Sequence, residues 1–336
     1  MASTEDRGAD TSNTAPPRHN STASPPPPRL RWYREVLTIA AFYALYSMAR
    51  NLFGSNAVSP GAALRNASRV IRAEELIGTF VEAEIQMFFL DWGATFIRFW
   101  NLYYGSLHFV VTAGVMVWLY RRYPLRYPRW RNTLGATTAL ALVGFSLFPL
   151  MPPRLLSGGG PFGGGDLRYS GMFVDTLAHF PALWSFNSDT MQSVSNQYAA
   201  MPSLHVGWSL WCVGAVYPLL RSRWAKGLYL TYVPATVFTI VVTANHYWLD
   251  AVGGAVVFVL GYAIAGRLEL LKAIRRRPRP PPRSPSQGPR PWSVDQRHRR
   301  AGPPRWLALL VPGHREDKRP FHAPRQRVQP GRSPRP

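Results

Sequence analysis

A single cysteine, Cys212, stands in a chain of 336 residues. It excludes an intrachain disulfide and a metal site built from cysteines, and its place inside an apolar run reads as a small buried hydrophobe. Lysine is almost as scarce. Lys226, Lys272 and Lys318 are the only lysines among 39 basic residues, an arginine bias of the kind that GC-rich bacterial genomes produce. Acidic residues number only 17, which leaves a formal net charge of +22. No Gly-Lys-Ser/Thr follows the glycines at 158–160 and 163–165. That excludes a nucleotide-binding P-loop and leaves the stretch as a flexible outer lid. The apolar run Val36–Met48 follows Arg29, Arg31 and Arg34, but no small-residue cleavage site comes directly after it. It therefore reads as an uncleaved first membrane span.

The mean hydropathy of −0.11 is that of a soluble protein, yet the composition is segregated along the chain. Residues 267–336 hold 19 Lys/Arg against 4 Asp/Glu among many prolines, whereas nearly all the long apolar runs lie before them. Residues 1–30 are polar and Pro-rich (Pro25–Pro28), too poor in hydrophobes to fold. Three parts follow: a disordered tail over 1–30, a membrane domain over 31–266 and a disordered basic tail over 267–336. The basic excess, which includes Arg275, Arg276, Arg277, Arg279 and Arg283, directly follows an apolar segment. Such juxtamembrane clusters fix topology and touch anionic lipid headgroups, so an anionic membrane surface is the expected partner and nucleic acid is not. The short island Trp306–Val311 is too brief to span and reads as a docking segment. Nothing in the sequence fixes an oligomeric state.

The fold class is all-α, a polytopic membrane helical bundle. About six spans are expected: the first run, then roughly 102–120, 133–150, 203–220, 226–244 and 247–266, each near the length that crosses a bilayer. Residues 66–92 place Glu74, Glu75, Glu82 and Glu84 among Leu76, Ile77, Phe80 and Val81 at helical spacing, the pattern of an interfacial amphipathic helix. Trp32, Trp118, Trp130 and Trp224 fall near the expected boundaries as interfacial anchors. Asn66-Ala67-Ser68 matches a glycosylation sequon, too short a pattern to carry weight. Arg121, Arg122, Arg126, Arg129 and Arg131, then Arg221, Arg223 and Lys226, then the tail, are the positive connections. With both termini inside, all three face the cytoplasm, and the 151–202 connection and the 245–246 turn face outward.

Three polar segments fall on that outer face: Phe148–Arg154, Ala200–His205 and Asn245–Asp250. His246 and Asp250 are four apart, hence on one face of a helix. A carboxylate on one ring nitrogen fixes the tautomer and frees the other as a nucleophile. Ser203 and His205 lie in the first turn of a helix after Pro202, where unpaired N–H groups and a hydroxyl favour phosphate, and Arg154 can clamp it bidentately. Together with a second histidine as acid, this constellation is what phosphoryl transfer needs without a metal. No cofactor is expected. Asn101, Tyr104 and His108 recur at helical spacing at the opening of the second span and can line a headgroup or acceptor pocket, as can Asn245.

Pro152-Pro153-Arg154, Met201-Pro202-Ser203-Leu204-His205 and His246-Tyr247-Trp248-Leu249-Asp250 resemble the type 2 phosphatidic acid phosphatase superfamily. The likeness is to the branch of the inositol phosphorylceramide synthases, and it covers about residues 35–266. The resemblance implies that His246 becomes phosphohistidine and Asp250 orients it. His205 protonates the leaving alkoxide and then activates the acceptor, and Arg154 and Ser203 hold the phosphate. It implies a lipid phosphate or phospholipid substrate, water or a polyol such as inositol as acceptor, and an active site on the extracytoplasmic face of a bacterial plasma membrane. Two departures stand out. The Ser-Arg pair that superfamily phosphatases carry before the nucleophile is Thr239-Ile240 here, and residues 141–150 hold no basic residue where a lysine precedes their first arginine motif. Arg154 then carries more of the phosphate charge, or Arg168 helps. The rival reading is a non-enzymatic membrane protein, a transporter or a haem- or metal-binding subunit using His108, His205 and His246.

Overall fold

The computed structural model describes residues 30–53, 57–181 and 196–275. Residues 1–29 and 276–336, with Pro25–Pro28, most of the arginine cluster and the Trp306–Val311 island, lie outside the described residues. Among the described residues the secondary structure is helical, with one isolated parallel bridge between Leu150 and Ala199. The helices are α1 (Trp32–Phe53), α2 (Pro60–Leu76), α3 (Glu82–Leu90), α4 (Ala94–Leu102), α5 (His108–Arg122), α6 (Tyr127–Leu147), α7 (Thr176–His179), α8 (Leu204–Val216), α9 (Arg223–Leu230), α10 (Tyr232–Val242) and α11 (Trp248–Arg275).

Three stretches are long and apolar enough to cross a membrane: Ala94–Arg122, Arg223–Val242 and Trp248–Arg275. The other three expected spans are present as the helices α1, α6 and α8. α1 has the length and, after Arg34 and Glu35 at its start, an apolar body, whereas α6 has the length but carries Arg129, Arg131, Asn132, Thr133, Thr137 and Thr138. These polar groups serve packing. Arg131 donates to Glu35 Oε1 at 2.8 Å and Tyr127 Oη donates to Glu35 Oε2 at 3.2 Å, which joins α1 to α6. α8 has 13 residues before a 3₁₀ turn at Tyr217–Leu219, about 20 Å of helix against a hydrocarbon core of about 30 Å.

The last helix runs past the expected end of the domain, since residues 267–275 continue α11 for a total of 28 residues. It lies along α6 and crosses α8 with backbones in close approach. A Cβ on Gly254 would stand 2.3 Å from the Ser203 carbonyl oxygen, and one on Gly261 would stand 2.8 Å from the Thr137 backbone nitrogen. Small residues at helix crossings are how apolar bundles gain dispersion contacts where no water is displaced.

The expected amphipathic helix at 66–92 is two helices, α2 and α3, with a turn between them. Leu76, Ile77 and Val81 of the expected stripe are exposed, whereas the other side of α2 faces the protein. Ala63, Ala67, Val70 and Ile71 pack against Leu150, Met151, Leu155, Leu156, Phe173, Tyr198, Ala244 and Tyr247. Ser59 caps α2 through its hydroxyl, and Pro60 opens it. In the sequon, Asn66 donates its amide to the Pro149 carbonyl at 2.9 Å. Gln86 of α3, fully buried, exchanges two hydrogen bonds of 2.9 Å with the backbone of Val174. Of the expected interfacial tryptophans, Trp32 and Trp224 are exposed, but Trp130 is buried, with Trp211 Nε1 donating to its carbonyl at 2.7 Å.

Candidate active site

The site forms at the ends of α6 and α10 and the starts of α8 and α11. The link from α10 to α11, Thr243–Tyr247, is buried throughout, so each polar backbone group there needs a partner. Ala244 adopts φ 51, the left-handed region that costs an L residue about 1–2 kcal/mol. That turn sends the N–H groups of Asn245 and His246 back to the Ile240 carbonyl, at 3.0 and 3.2 Å, and points the Ala244 carbonyl at the Arg154 N–H, 2.9 Å away.

His246 is set by this turn. Its Nδ1 lies 2.8 Å from the Ala200 carbonyl oxygen and 3.3 Å from Asp250 Oδ2. A carbonyl only accepts, so Nδ1 carries the hydrogen and, in the neutral ring, Nε2 carries the lone pair. Nε2 is buried and has no hydrogen-bond partner. Asp250, fully buried, also accepts from the Tyr247 N–H at 2.9 Å, and its carbonyl accepts from the Ser203 N–H at 2.9 Å. The last bond ties the start of α8 to the first turn of α11.

His246 opens onto a pocket of about 80 Å³ lined by Tyr104, Pro152, Arg154, Leu177, Gln197 and Asn245 among others. Arg154 is held on three sides: Nε donates to Asn245 Oδ1 at 2.9 Å, one terminal nitrogen to Asp175 Oδ2 at 3.0 Å and the other to Gln197 Oε1 at 2.7 Å. Its guanidinium is thus neutralised in place by Asp175, which also caps α7 by accepting from the Ala178 N–H.

The remaining expected site residues divide. Tyr104 and Asn245 line the pocket. His205 stands beside it, its ring centroid 5.5 Å from that of His246. The imidazole is layered between Tyr104, 4.3 Å away and nearly parallel, and His108 at 4.0 Å, and its Nε2 donates to the Tyr104 carbonyl at 3.2 Å. Tyr104 and His108 fall on a π-helical turn, Tyr103–Leu107, and the residue after it, inside the continuous helix from Ala94 to Arg122. Such a turn widens a helix locally and recurs at functional sites. His108 is buried against His205, away from the pocket wall. Ser203 is the N-cap of α8, fully buried, with its Oγ unpaired; it is not on the pocket wall, and its N–H is taken by Asp250. Asn101 is not a pocket residue either. Its amide donates to the Thr176 and Phe180 carbonyls at 2.8 and 2.9 Å and its oxygen accepts from Thr176 Oγ1, which fastens α7 to α4.

Arg168 is exposed and pairs with Asp166, whose carboxyl it holds below the usual carboxylate range. It does not line the pocket. The glycine stretch is a closed loop, with Gly164 and Gly165 N–H bonded to the Leu155 and Gly158 carbonyls at 2.8 and 3.1 Å and the Gly163 Cα against the Gly158 carbonyl. Asp175, Gln197 and the Ala200 carbonyl are parts of the site that the sequence reading did not name. An Asp before Thr176 does signal a helix cap, but nothing in its position shows the ion pair with Arg154, 21 residues away.

The profile of the PAP2 superfamily matches residues 68–264, well over half of the chain and all of the site just described. The chain belongs to the PAP2 superfamily. No curated protein and no solved structure matches it. Members of the superfamily are phosphatases and phosphotransferases, so the chain is an enzyme of that general kind. Against the PAP2 pattern, no arginine stands before the nucleophile. Ile240 stands there, its side chain fully buried with Val206 and Val241, so this position brings no cation to the pocket.

Proposed function

We propose that this PAP2 member is an integral-membrane, metal-independent enzyme that moves a phosphoryl group of a lipid through a phosphohistidine on His246. The observation that carries the reading is the single buried nitrogen, His246 Nε2, left without a partner at the pocket while Nδ1 is held by the Ala200 carbonyl and Asp250. Nε2 attacks phosphorus, the P–O bond to the lipid alcohol breaks, and the alkoxide takes a proton. His205 supplies that proton after exchanging its bond to the Tyr104 carbonyl for one to the leaving oxygen. Water or a polyol hydroxyl then gives its proton to His205 and attacks phosphorus, and the N–P bond breaks. Asp250 stabilises the charge that develops on the ring, and Arg154 meets the phosphate oxygens.

The likeness of Pro152-Pro153-Arg154 and Pro202-Ser203-Leu204-His205 to inositol phosphorylceramide synthases supports inositol as one acceptor. A headgroup-bearing phosphate would then sit on His246 as a substituted phosphoryl group. The distribution of arginine supports an extracytoplasmic site in a bacterial plasma membrane. Site residues gather at the ends of α6 and α10 and the starts of α8 and α11, whereas Arg121, Arg122, Arg129, Arg131, Arg221, Arg223 and Arg275 gather at the opposite ends of these elements.

Phosphate release from a panel of lipid phosphates in EDTA, repeated with inositol and phosphatidylinositol, tests the reading. EDTA-resistant release of free phosphate identifies a phosphatase; headgroup exchange without free phosphate identifies a transferase. His246→Ala should lower either by about 10³-fold or more, and undiminished activity would refute the mechanism.

A further inference from the structure

Three carboxylates converge on the first turn of α11, and the mechanism above uses one of them, Asp250. The other two come from elements distant in sequence. Glu74 of α2 accepts from the Leu249 N–H at 2.7 Å, and Glu82, the first residue of α3, accepts from the Trp248 N–H at 3.1 Å. With Tyr247 N–H on Asp250, three successive amides of the turn after His246 are each met by a carboxylate oxygen. Both glutamates are fully buried. Their second oxygens, Glu74 Oε2 and Glu82 Oε2, have no hydrogen-bond partner, and the ion pairs among the described residues include neither side chain.

Two full negative charges do not persist side by side out of water. Like charges in one site disfavour double ionisation, and a helix N-terminus supplies only about half a positive charge. One proton resolves the conflict, because it turns one unpaired oxygen into a donor and leaves the other as its acceptor. Burial, with Glu82 adjacent, pushes the Glu74 carboxyl up to about 9.

We propose that Glu74 and Glu82 share one proton and, as a singly charged acid pair, position the Tyr247–Asp250 turn that aims His246. They are positioning residues, since neither lines the pocket. The amides they hold are those of the two residues between Tyr247 and Asp250, so a shift of the pair moves the Asp250 carboxylate relative to the imidazole. Loss of the shared proton puts a second charge beside Asp250 and drives the turn apart. The ionisable groups facing the pair are Asp250 and Tyr247 from the α11 turn, and Tyr169 lies next to Tyr247.

The kinetic half of the test rests on the phosphohistidine reading; the spectroscopic half does not. Infrared spectra of the full-length protein in detergent should show a protonated-carboxyl C=O band near neutral pH. That band should fade as pH passes about 9 and be missing in Glu74→Gln. In turnover, Glu74→Gln keeps an amide donor for Glu82 and an acceptor for Leu249, so its kcat should stay near wild type while the alkaline fall in kcat disappears. Glu74→Ala should lose about 10- to 100-fold in kcat at unchanged KM, the scale of a displaced reacting group. A band unchanged in Glu74→Gln, or an alkaline limb unchanged in that variant, would overturn the proposal. So would Glu74→Gln losing as much kcat as Glu74→Ala. If no phosphate substrate turns over while the band behaves as expected, the proposed reaction fails and the acid pair stands.

Discussion

At His246 the ring proton has two claimants, the Ala200 carbonyl at 2.8 Å and Asp250 Oδ2 at 3.3 Å. The nearer one cannot change protonation state. In catalytic triads an Asp→Asn change is severe because it lets the imidazole adopt the wrong tautomer. Here the carbonyl keeps Nδ1 protonated whatever stands at position 250, and an Asn oxygen can still accept from the Tyr247 N–H. Asp250→Asn therefore removes charge stabilisation alone. Its kcat should fall by about 10²-fold, well short of His246→Ala, and acid-quenched enzyme should still show phosphate on His246. A loss as large as that of His246→Ala would mean that the carboxylate, and not the carbonyl, sets the tautomer.

Among the helices, the site depends on how closely α11 crosses α8. Gly254 sits one turn after Asp250, and a Cβ there meets the Ser203 backbone at 2.3 Å, a distance no side-chain rotation relieves. Gly254→Ala should push α8 off α11, break the Ser203 N–H bond to Asp250, and lower both the thermal midpoint and kcat. The same change at Gly135, where a Cβ meets nothing within 4 Å, should leave both intact, so measuring the pair separates packing from helix propensity. The helices themselves were legible because apolar runs and their breaks at Pro149, Pro202 and Asn245-His246 are local features. The pairing of His246 with Asp250 was expected from a helical repeat, but His246 precedes α11, and the Asp250 carboxylate reaches back to its ring from the first turn of that helix. What was not legible is long-range. Glu74 and Glu82 have the spacing of a solvated helix face, and only the packing of α2 and α3 on the α11 turn makes them buried caps. His205 was placed facing the nucleophile by its position in α8. The π turn brings the Tyr104 carbonyl to its Nε2, and no local pattern announces that. Asn101 carries a chemistry-bearing amide in a favourable register, yet it ties α7 down.

For the molecule as a whole, the Glu74 proton links stability to pH. The unfolded chain releases that proton near the ordinary value of 4.5 and the folded chain keeps it to about 9. Between these values the folded state binds more protons, so the stability that Glu74 lends is full below pH 4.5, falls as pH rises and is lost above 9. Thermal midpoints of the detergent-solubilised protein should decline across that window, and Glu74→Gln should flatten the decline. The boundary of the folded unit is a separate matter. The described part of α11 runs to Arg275, so a chain stopped after Arg277 keeps all of it and should insert and turn over at the full-length rate. A properly inserted truncation with reduced specific activity would show that the basic tail takes part in catalysis.

The ion pair between Arg154 and Asp175 has a consequence for ligand exchange. A cation that already holds a counter-ion does not gain a charge interaction when phosphate arrives; it trades one anion for another. The affinity for any phosphate is then the difference between two similar contacts, and the resting pocket is close to electrically neutral instead of an open trap for every passing anion. The trade also runs backward. Once the lipid alcohol has left, Asp175 is the tethered competitor that reclaims the guanidinium, and its local concentration never falls. An enzyme built this way discriminates by what else the substrate carries, and it lets its phosphate go.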